Sequence, residues 1–357
     1  MQFGLFSNGE RQNQVAKITY DEDLAEVILA DELGLQEAWI SEHGTFVSFH
    51  APDQLPCADP FICKAAALTE QIRMGPGIRP LPYFHPLQVA TDAAVCDHLT
   101  NGRYMAGFGV GLPGKTPQRG KLPGDTRSMT REAIELILTA WTATEPFDWH
   151  GEFWQGEQLQ IIPQPLTKPH MEVGMACSRS EGTLELTAQN GFTPLMSWTP
   201  QPQQLKNMIE IYQRAGDEAR RAASRSRVRV ARMIYVTDSV SQAKHDLSAV
   251  DLGAAKVTRR LDHYIPSGAT REDLTMNYMI DRGAFFCGDP DTVYNQIKEL
   301  YDEIGGFGVL LLVAGKDWGN REQRHRSMRL FRCRPKAGSL ESGQRGGSLA
   351  RSVRQER

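Results

Sequence analysis

A histidine and a cluster of hydroxyl groups are the side chains of this sequence that could do chemistry. His43 follows the apolar run EAWIS at residues 37–41, and SRSEGT at residues 178–183 follows the apolar run at residues 171–177. A histidine at the end of a buried strand can exchange a proton near neutral pH. Hydroxyls and an arginine before a helix can bind a phosphate, together with the free N–H groups of the first helical turn. The two stretches are therefore candidates for a functional histidine and for an anion site.

Both features also have a plain structural alternative. His43 can be an ordinary residue of a polar loop, with no part in chemistry. Ser180 can simply cap the helix that follows it, because serine is a preferred N-cap whatever binds there. Spacing alone does not decide between these interpretations, so both alternatives stay open at this point.

A glycine-rich stretch at residues 73–114 would position such groups. Residues 72–78 are apolar enough for a buried strand, Pro86 can open a helix, and residues 104–110 predict a second strand. This order predicts a parallel sheet, and in such folds ligands bind at the carboxyl edge. Glycines gather at that edge, where their missing side chains would let a flat ligand approach the backbone. They are Gly77, Gly107, Gly109 and Gly111.

Length and charge narrow the classes of function. The chain has 357 residues, which fits a single α/β barrel of about 250 residues or more. The formal net charge of −3 argues against a protein that binds nucleic acid or an anionic membrane. The sequence has no apolar run long enough for a transmembrane helix, and MQFGLFSNG at its start does not resemble a secretory signal. We therefore expect a cytoplasmic protein.

The cysteines indicate reduced thiols. They stand at positions 57, 63, 96, 177, 287 and 333, and none forms a CxxC pair. Cys96 and Cys177 fall in core-like segments, so we interpret them as packing residues and not as nucleophiles. The histidines are scattered, and the sequence has no HExxH motif and no HxH on a strand, so we expect no metal site.

The alternation of segments predicts the architecture. Eight strand-like and eight helix-like segments alternate over residues 1–331, which predicts a single TIM-like (β/α)8 barrel with insertions at the barrel mouth. Residues 251–286 break the rhythm and are expected to form an insertion over the mouth. Residues 332–357, rich in Arg, Ser and Gly, predict a disordered basic tail. Alternating arginines at the start of the strand at residues 226–237 predict that one side of that end is exposed to solvent.

Several motifs together resemble those of the bacterial luciferase-like, FMN-dependent monooxygenases. They are AxELGxxxxWxxEH at residues 30–43, His85-Pro86, CDHLTNGR at residues 96–103, the glycine-broken strand at residues 107–111, and GxPDxVxxxI from Gly288. The order and spacing of these pieces carry the match more than any single residue does. The EHG sequence and the closing KDWxxxxxRxxSMRLF resemble the limonene-monooxygenase branch of that family.

This resemblance implies a function and a set of site residues. It implies a two-component monooxygenase that takes reduced FMN from a separate flavin reductase and oxygenates a small apolar organic substrate with O2. We expect a homo-oligomer that binds neither nucleic acid nor membrane. His43 would be the catalytic acid–base residue, and the bond between Gly77 and Ile78 would be a cis peptide. The residues assigned to the cofactor are Gly77, Ile78, Gly107, Gly109, Ser178, Arg179, Ser180 and Thr183.

Other functions fit the same barrel. A deazaflavin-dependent oxidoreductase would transfer hydride without oxygen, and the sequence does not resolve the loops that choose the flavin. A non-catalytic flavin-binding subunit is a third possibility, although an inactive subunit would have no need of His43. A metal hydrolase fits least well, because its ligand motifs are missing.

Overall fold

The computed structural model describes residues 1–7, 15–42, 55–111, 125–178, 180–250, 265, 270–314 and 318–332. The strands within this part of the chain form a 10-stranded sheet and a separate two-stranded hairpin. The strands of the large sheet are β1 (Gln2–Ser7), β2 (Glu37–Ile40), β3 (Arg73–Pro76), β4 (Arg79–Pro80), β5 (Ala106–Gly109), β8 (Val173–Cys177), β9 (Thr193–Met196), β10 (Arg229–Val236), β11 (Phe286–Gly288) and β12 (Val309–Ala314). The hairpin pairs β6 (Phe147–His150) with β7 (Gln155–Leu159).

The large sheet is parallel and curls into a barrel. Its order is β3-β2-β1-β12-β10-β9-β8-β5-β4, and β11 adds to the end of β10. β3 and β4 are two halves of one chain segment, separated by a cis peptide bond between Gly77 and Ile78. β3 pairs with β2 and β4 pairs with β5, while Met74 N donates to Arg103 O at 2.9 Å. The two ends of the sheet therefore meet, which confirms the predicted TIM-like barrel.

Helices follow most strands and cover the outside of the barrel. A proline opens several of them at the first turn, where its missing N–H leaves no hydrogen bond unmade. Ser239 caps another helix through its side chain, and Asp289 caps one of the proline-opened helices in the same way. The helices are α1 (Ala16–Glu32), α2 (Ala58–Ala66), α3 (Pro86–Leu99), α4 (Thr126–Thr142), α5 (Glu181–Gln189), α6 (Pro202–Glu218), α7 (Val240–Asp246), α8 (Met276–Asp281), α9 (Pro290–Glu303) and α10 (Arg321–Arg332).

The barrel interior holds a tryptophan at its middle and a charged cluster at the amino ends of the strands. Trp39 is fully buried among inward-facing aliphatic side chains. Beneath it, Glu37 and Glu172 bind the guanidinium groups of Arg73 and Arg229, with 2.8 Å between Arg229 Nη2 and Glu172 Oε1. Arg229 is only 5% exposed. The prediction that one side of the start of β10 is exposed to solvent is therefore wrong, because Arg229 points into the barrel and pairs with acids there.

The described part of the segment expected to form an insertion packs beside the carboxyl end of β10. Residues 251–264 and 266–269 of it lie outside the described part of the chain. In the described remainder, Ile265 and Phe285 share an apolar cluster with Tyr235 of β10 and with Trp318. The basic tail also lies outside the described residues after Arg332, where α10 ends. Among the described helices, none combines the length and the apolar character that crossing a bilayer requires.

Gly107 tests the packing of the barrel wall. A Cβ atom added at Gly107 would lie 1.7 Å from the carbonyl oxygen of Pro76, so β5 could stay beside β3 only by moving its backbone. We expect Gly107→Ala to lower the free energy of unfolding by about 3 kcal/mol or more. Gly182→Ala is the matched control, because a Cβ at Gly182 would have nothing within 4 Å. The control should change stability by less than about 1 kcal/mol in urea unfolding. Equal effects of the two changes would contradict this account of the wall.

Candidate active site

The carboxyl ends of the strands form an apolar surface that is partly open. The inward-facing residues of this level are half-exposed, whereas the layer beneath them, around Trp39, is buried. In a parallel barrel this end is where ligands bind, since the loops that follow the strands converge there. We call this surface the apolar mouth. It is lined by Phe6, Gly77, Ile78, Ala176, Trp198 and Met233.

The glycines of the wall have packing reasons that do not involve a ligand. At Gly107 the space of a side chain is taken by the Pro76 carbonyl and by the Trp39 ring, and at Gly109 it is taken by Ile78 Cδ1, 2.1 Å from the added Cβ. Gly77 differs, because it is half-exposed at the rim of the apolar mouth. Contact of Gly107 and Gly109 with a flat cofactor stays a prediction. The structure explains their missing side chains by the close approach of β3 and β5.

A candidate anion site lies at the start of α5. Ser180 is the N-cap residue, yet among the described residues its hydroxyl caps no backbone N–H and instead accepts a hydrogen bond from Arg127 Nη2 at 3.2 Å. Thr183 lies in the first turn, and the position of a Cβ at Gly182 is open space. A helix start with a guanidinium and hydroxyls beside it suits a phosphate. We call Ser180, Thr183 and Arg127 the anion site. Ser178 lies exposed beside it, and Arg179 is outside the described residues.

Sequence reasoning missed Arg127. It lies in the first turn of α4, and α4 follows β5, whereas Ser180 follows β8. The two residues meet only because β5 and β8 are neighbours in the barrel. An arginine in the first turn of a helix after a barrel strand was the only local signal. That signal gives no partner without the sheet order.

The end of β2, directly before His43 in the sequence, is anchored by buried charges. His43 itself lies outside the described residues, but Glu42, directly before it, accepts from Arg79 Nη2 at 3.0 Å and from the Ala58 N–H at 3.2 Å. Arg79 also donates to Asp59 Oδ2 at 2.7 Å, and it is 4% exposed. Burial lowers the pKa of Arg79, but Asp59 and Glu42 outweigh it and raise the pKa well above its ordinary value. Arg79 therefore stays charged and fixes the end of β2.

Tyr104 completes this cluster from β5's side of the barrel. Its hydroxyl donates to Asp59 Oδ1 at 2.7 Å, so both oxygens of that carboxylate are engaged. Burial, and next the charge of Asp59, raise the pKa of Tyr104 well above its usual value. The phenol therefore remains a neutral donor at physiological pH.

Aromatic side chains form the wall of the mouth on the far side from Gly77. The rings of Trp198 and Phe285 lie with their centroids 6.5 Å apart, and Phe285 packs edge-on against Trp318 at 5.8 Å. Arg232 holds the loop after β9 in place by donating to the carbonyl of Pro200 at 2.8 Å and to that of Trp198 at 3.4 Å. The site therefore combines an apolar, partly aromatic surface with an anion site at one edge.

Comparisons with known proteins show which proteins this chain is similar to. The family model described as luciferase-like monooxygenase matches residues 1–306. The chain is 31% identical over 325 residues to 4-hydroxyprotoasukamycin monooxygenase of Streptomyces nodosus subsp. asukaensis. The aligned region covers 87% of this chain and 84% of the relative. It is 28% identical over 330 residues to limonene 1,2-monooxygenase of Rhodococcus erythropolis. That aligned region covers 89% of this chain and 81% of the relative.

A solved structure shows the same fold. The oxygenating constituent of 3,6-diketocamphane monooxygenase from Pseudomonas putida, solved in complex with FMN, superposes with a TM-score of 0.78. The superposition covers 93% of this chain and 97% of that one, at 24% identity.

Arg79 should prove essential to the rim of the barrel. Arg79→Leu leaves the carboxylates of Glu42 and Asp59 buried without their cation, so we expect a loss of about 3–5 kcal/mol in the free energy of unfolding, measured in urea. Adding Glu42→Gln and Asp59→Asn should recover part of that loss, because the two stranded charges disappear. The control is Arg214→Leu, whose exposed pair with Glu181 should be worth less than about 1 kcal/mol. A cost for Arg79→Leu no larger than that of the control would refute the anchoring role.

Proposed function

The chain belongs to the luciferase-like monooxygenase family, and from this premise we propose that it is the oxygenating component of a two-component system. In this proposal it receives reduced FMN from a separate flavin reductase and uses O2 to oxygenate a small apolar organic substrate. The observation that carries the proposal is the apolar mouth with an anion site at its edge. That combination suits a molecule with a flat apolar ring system at one end and a phosphate at the other.

The residues of the site fit FMN in charge and in shape. Arg127 and the hydroxyls of Ser180 and Thr183 would bind the phosphate, aided by the N–H groups and the dipole of α5. The partly exposed backbone at Gly77 and the side chain of Ile78 would support the ring system. Reduced flavin, when bound, supplies the two electrons with which O2 is activated.

The protein's own contribution would be exclusion of water, orientation and proton transfer. Trp198 and Met233 present an apolar wall, and the buried ring of Phe285 packs against Trp198. This wall favours an apolar substrate and keeps water from the reacting atoms. A monooxygenase places one oxygen atom in its product and releases the other as water, which requires protons at that atom. His43, which directly follows the anchored Glu42 in the sequence, is proposed to supply or orient them.

Two observations support a separate reductase. The described chain forms one barrel with one proposed flavin site, and the sequence shows no fingerprint for binding a nicotinamide dinucleotide. The structurally similar Pseudomonas putida protein is named as the oxygenating constituent of its system. This supports delivery of the reduced flavin by a partner protein.

The full chain can be tested with both flavins. Under anaerobic conditions, reduced FMN should quench protein fluorescence at lower concentration than oxidised FMN or reduced deazaflavin. With limonene and a bicyclic monoterpene ketone as probe substrates, ¹⁸O2 should add one heavy oxygen atom to a product. Tight binding of deazaflavin alone, with hydride transfer and no O2 uptake, would favour the deazaflavin enzyme. FMN binding with no heavy oxygen in either product would favour a non-catalytic subunit.

His43→Ala separates catalysis from binding. We expect unchanged affinity for reduced FMN and a loss of product formation of roughly 10²- to 10⁴-fold, typical for removal of a general acid–base group. His98→Ala is the control, since that ring lies on the outer face of α3 and contacts the Gln164 carbonyl at 3.0 Å. Turnover of His43→Ala equal to that of the control would return His43 to the role of a plain loop residue.

Ser180→Ala with Thr183→Ala tests the anion site. Each charge-assisted hydrogen bond is worth about 1.5–3 kcal/mol, so losing one should lower the affinity for FMN about 10- to 100-fold, and losing both should lower it further. Riboflavin lacks the phosphate, so its affinity should stay nearly constant. Because general destabilisation would weaken both ligands, the ratio of the two affinities is the decisive quantity.

Ser239→Ala is the matched control for this pair of changes. Ser239 caps α7 through a hydrogen bond from the Gln242 N–H at 3.1 Å, so its loss should lower stability by about 1 kcal/mol. It should leave the ratio of FMN to riboflavin affinity unchanged. A phosphate bound elsewhere would reveal itself by an unchanged ratio in the Ser180 and Thr183 variant as well.

A further inference from the structure

Two thiols face each other between α2 and α3. Cys63 Sγ lies 3.6 Å from Cys96 Sγ, and both cysteines are free. A disulfide has a sulfur–sulfur distance of about 2.05 Å, so the two atoms would need to approach by roughly 1.5 Å. Rotation of the Cys63 side chain with a small shift of α2 can supply a movement of that size. Cys63 is half-buried, so a small oxidant reaches it more easily than it reaches the buried Cys96.

The remaining described cysteines lack this arrangement. Cys177 and Cys287 are buried, and burial raises the pKa of each thiol to about 12, which keeps them protonated. Cys57 is exposed, and its sulfur accepts from Arg79 Nη2 at 3.7 Å. The hydrogen bond that Cys63 shares with Cys96 lowers the pKa of Cys63, which favours the nucleophilic thiolate at that position. Cys63 is therefore suited to react first and Cys96 to react second.

We propose that Cys63 and Cys96 form a reversible disulfide when the protein meets hydrogen peroxide. The thiolate of Cys63 attacks one oxygen of the peroxide, the O–O bond breaks, and Cys63 becomes a sulfenic acid while hydroxide leaves and is protonated to water. Cys96 sulfur then attacks the sulfenic sulfur, the S–O bond breaks, and a second water leaves with the proton of the Cys96 thiol. Two thiols lose two electrons and two hydrogens in total, and one peroxide is reduced to two waters.

The place of this pair links it to the rim of the barrel. Asp59 lies one helical turn before Cys63 on α2, and it binds both Arg79 and Tyr104. A covalent bond from α2 to α3 therefore acts on the same helix that holds the anchor of Glu42. A flavin oxygenase that turns over without substrate releases hydrogen peroxide, which would place the oxidant close by. That source rests on the proposed function, whereas the disulfide itself does not.

The test uses the full chain and added hydrogen peroxide, without any flavin. After graded exposure, the protein is denatured with N-ethylmaleimide and digested without reductant by trypsin and chymotrypsin. Cleavage after Phe61 separates Cys57 from Cys63, so the peptide of each cysteine is identified by mass spectrometry. We expect a linked pair of the Cys63 and Cys96 peptides, lighter by two hydrogens than their sum. Dithiothreitol should restore both free thiols.

Single substitutions make the assignment specific. Cys63→Ser and Cys96→Ser should each abolish the linked pair, while Cys57→Ser and Cys177→Ser should leave its yield within about twofold of the unmodified protein. Because no flavin is present, failure of the FMN proposal does not change this result. The proposal is overturned if Cys63 links to Cys57 or to a second copy of the chain. It is equally overturned if Cys63 is oxidised to sulfinic acid without a link, or stays reduced under conditions that oxidise Cys57.

Discussion

The barrel depends on the fit between one tryptophan and three glycines. Trp39 fills the middle of the interior, and its indole N–H donates to Glu37 Oε1 at 2.9 Å. A Cβ at Gly75, Gly107 or Gly174 would come within 3.0, 3.1 and 2.6 Å of its ring. One large side chain on β2 thus occupies the space that side chains of three other strands fill in a more even barrel. Interiors are close-packed, so the indole and the glycine wall require each other.

Trp39 forms a plug between two ends of the barrel that differ in charge. Below it, Glu37 is joined to Arg73 and Arg229, and Glu172 joins the same two arginines. Burial raises the pKa of Glu172, but the charges of Arg229 and Arg73 lower it by more than burial raises it, so the carboxylate stays charged. Above the plug, no comparable ion cluster occurs among the described inward-facing residues, and the surface is apolar and partly open. The amino end is therefore sealed by paired charges, and the carboxyl end is left free for a ligand.

Three arginines hold the loops that surround this open end. Arg79 binds Glu42 at the end of β2, Arg232 binds the Trp198 and Pro200 carbonyls after β9, and Arg127 binds Ser180 after β8. A guanidinium presents several donors in a rigid plane, so one side chain can fix two groups at once. Buried partners make Arg79 and Arg232 structural, whereas Arg127 is exposed and can turn to an anion. The apolar mouth is thus formed by aliphatic and aromatic side chains but kept in shape by cations behind it.

Local pattern in the sequence determined which segments are strands and helices and which residues stand at their junctions. The alternation that predicts the barrel, Pro86 at a helix start and Ser180 between β8 and α5 all follow from spacings of a few residues. The resemblance to a family came from the same kind of short motif, and the match over residues 1–306 confirms it. These features survive in sequence because hydrophobic period and capping act between neighbours along the chain.

Only the tertiary structure decided what each of these residues touches. It turned Arg229 inward to Glu37, gave Gly107 a packing reason, brought Arg127 to Ser180 and set Cys63 against Cys96. Each of these contacts joins elements that lie far apart in sequence and become neighbours only when the strand order is fixed. A residue type shows that a charge or a thiol needs a partner, but the partner is chosen by the closure of the barrel, which no local pattern encodes.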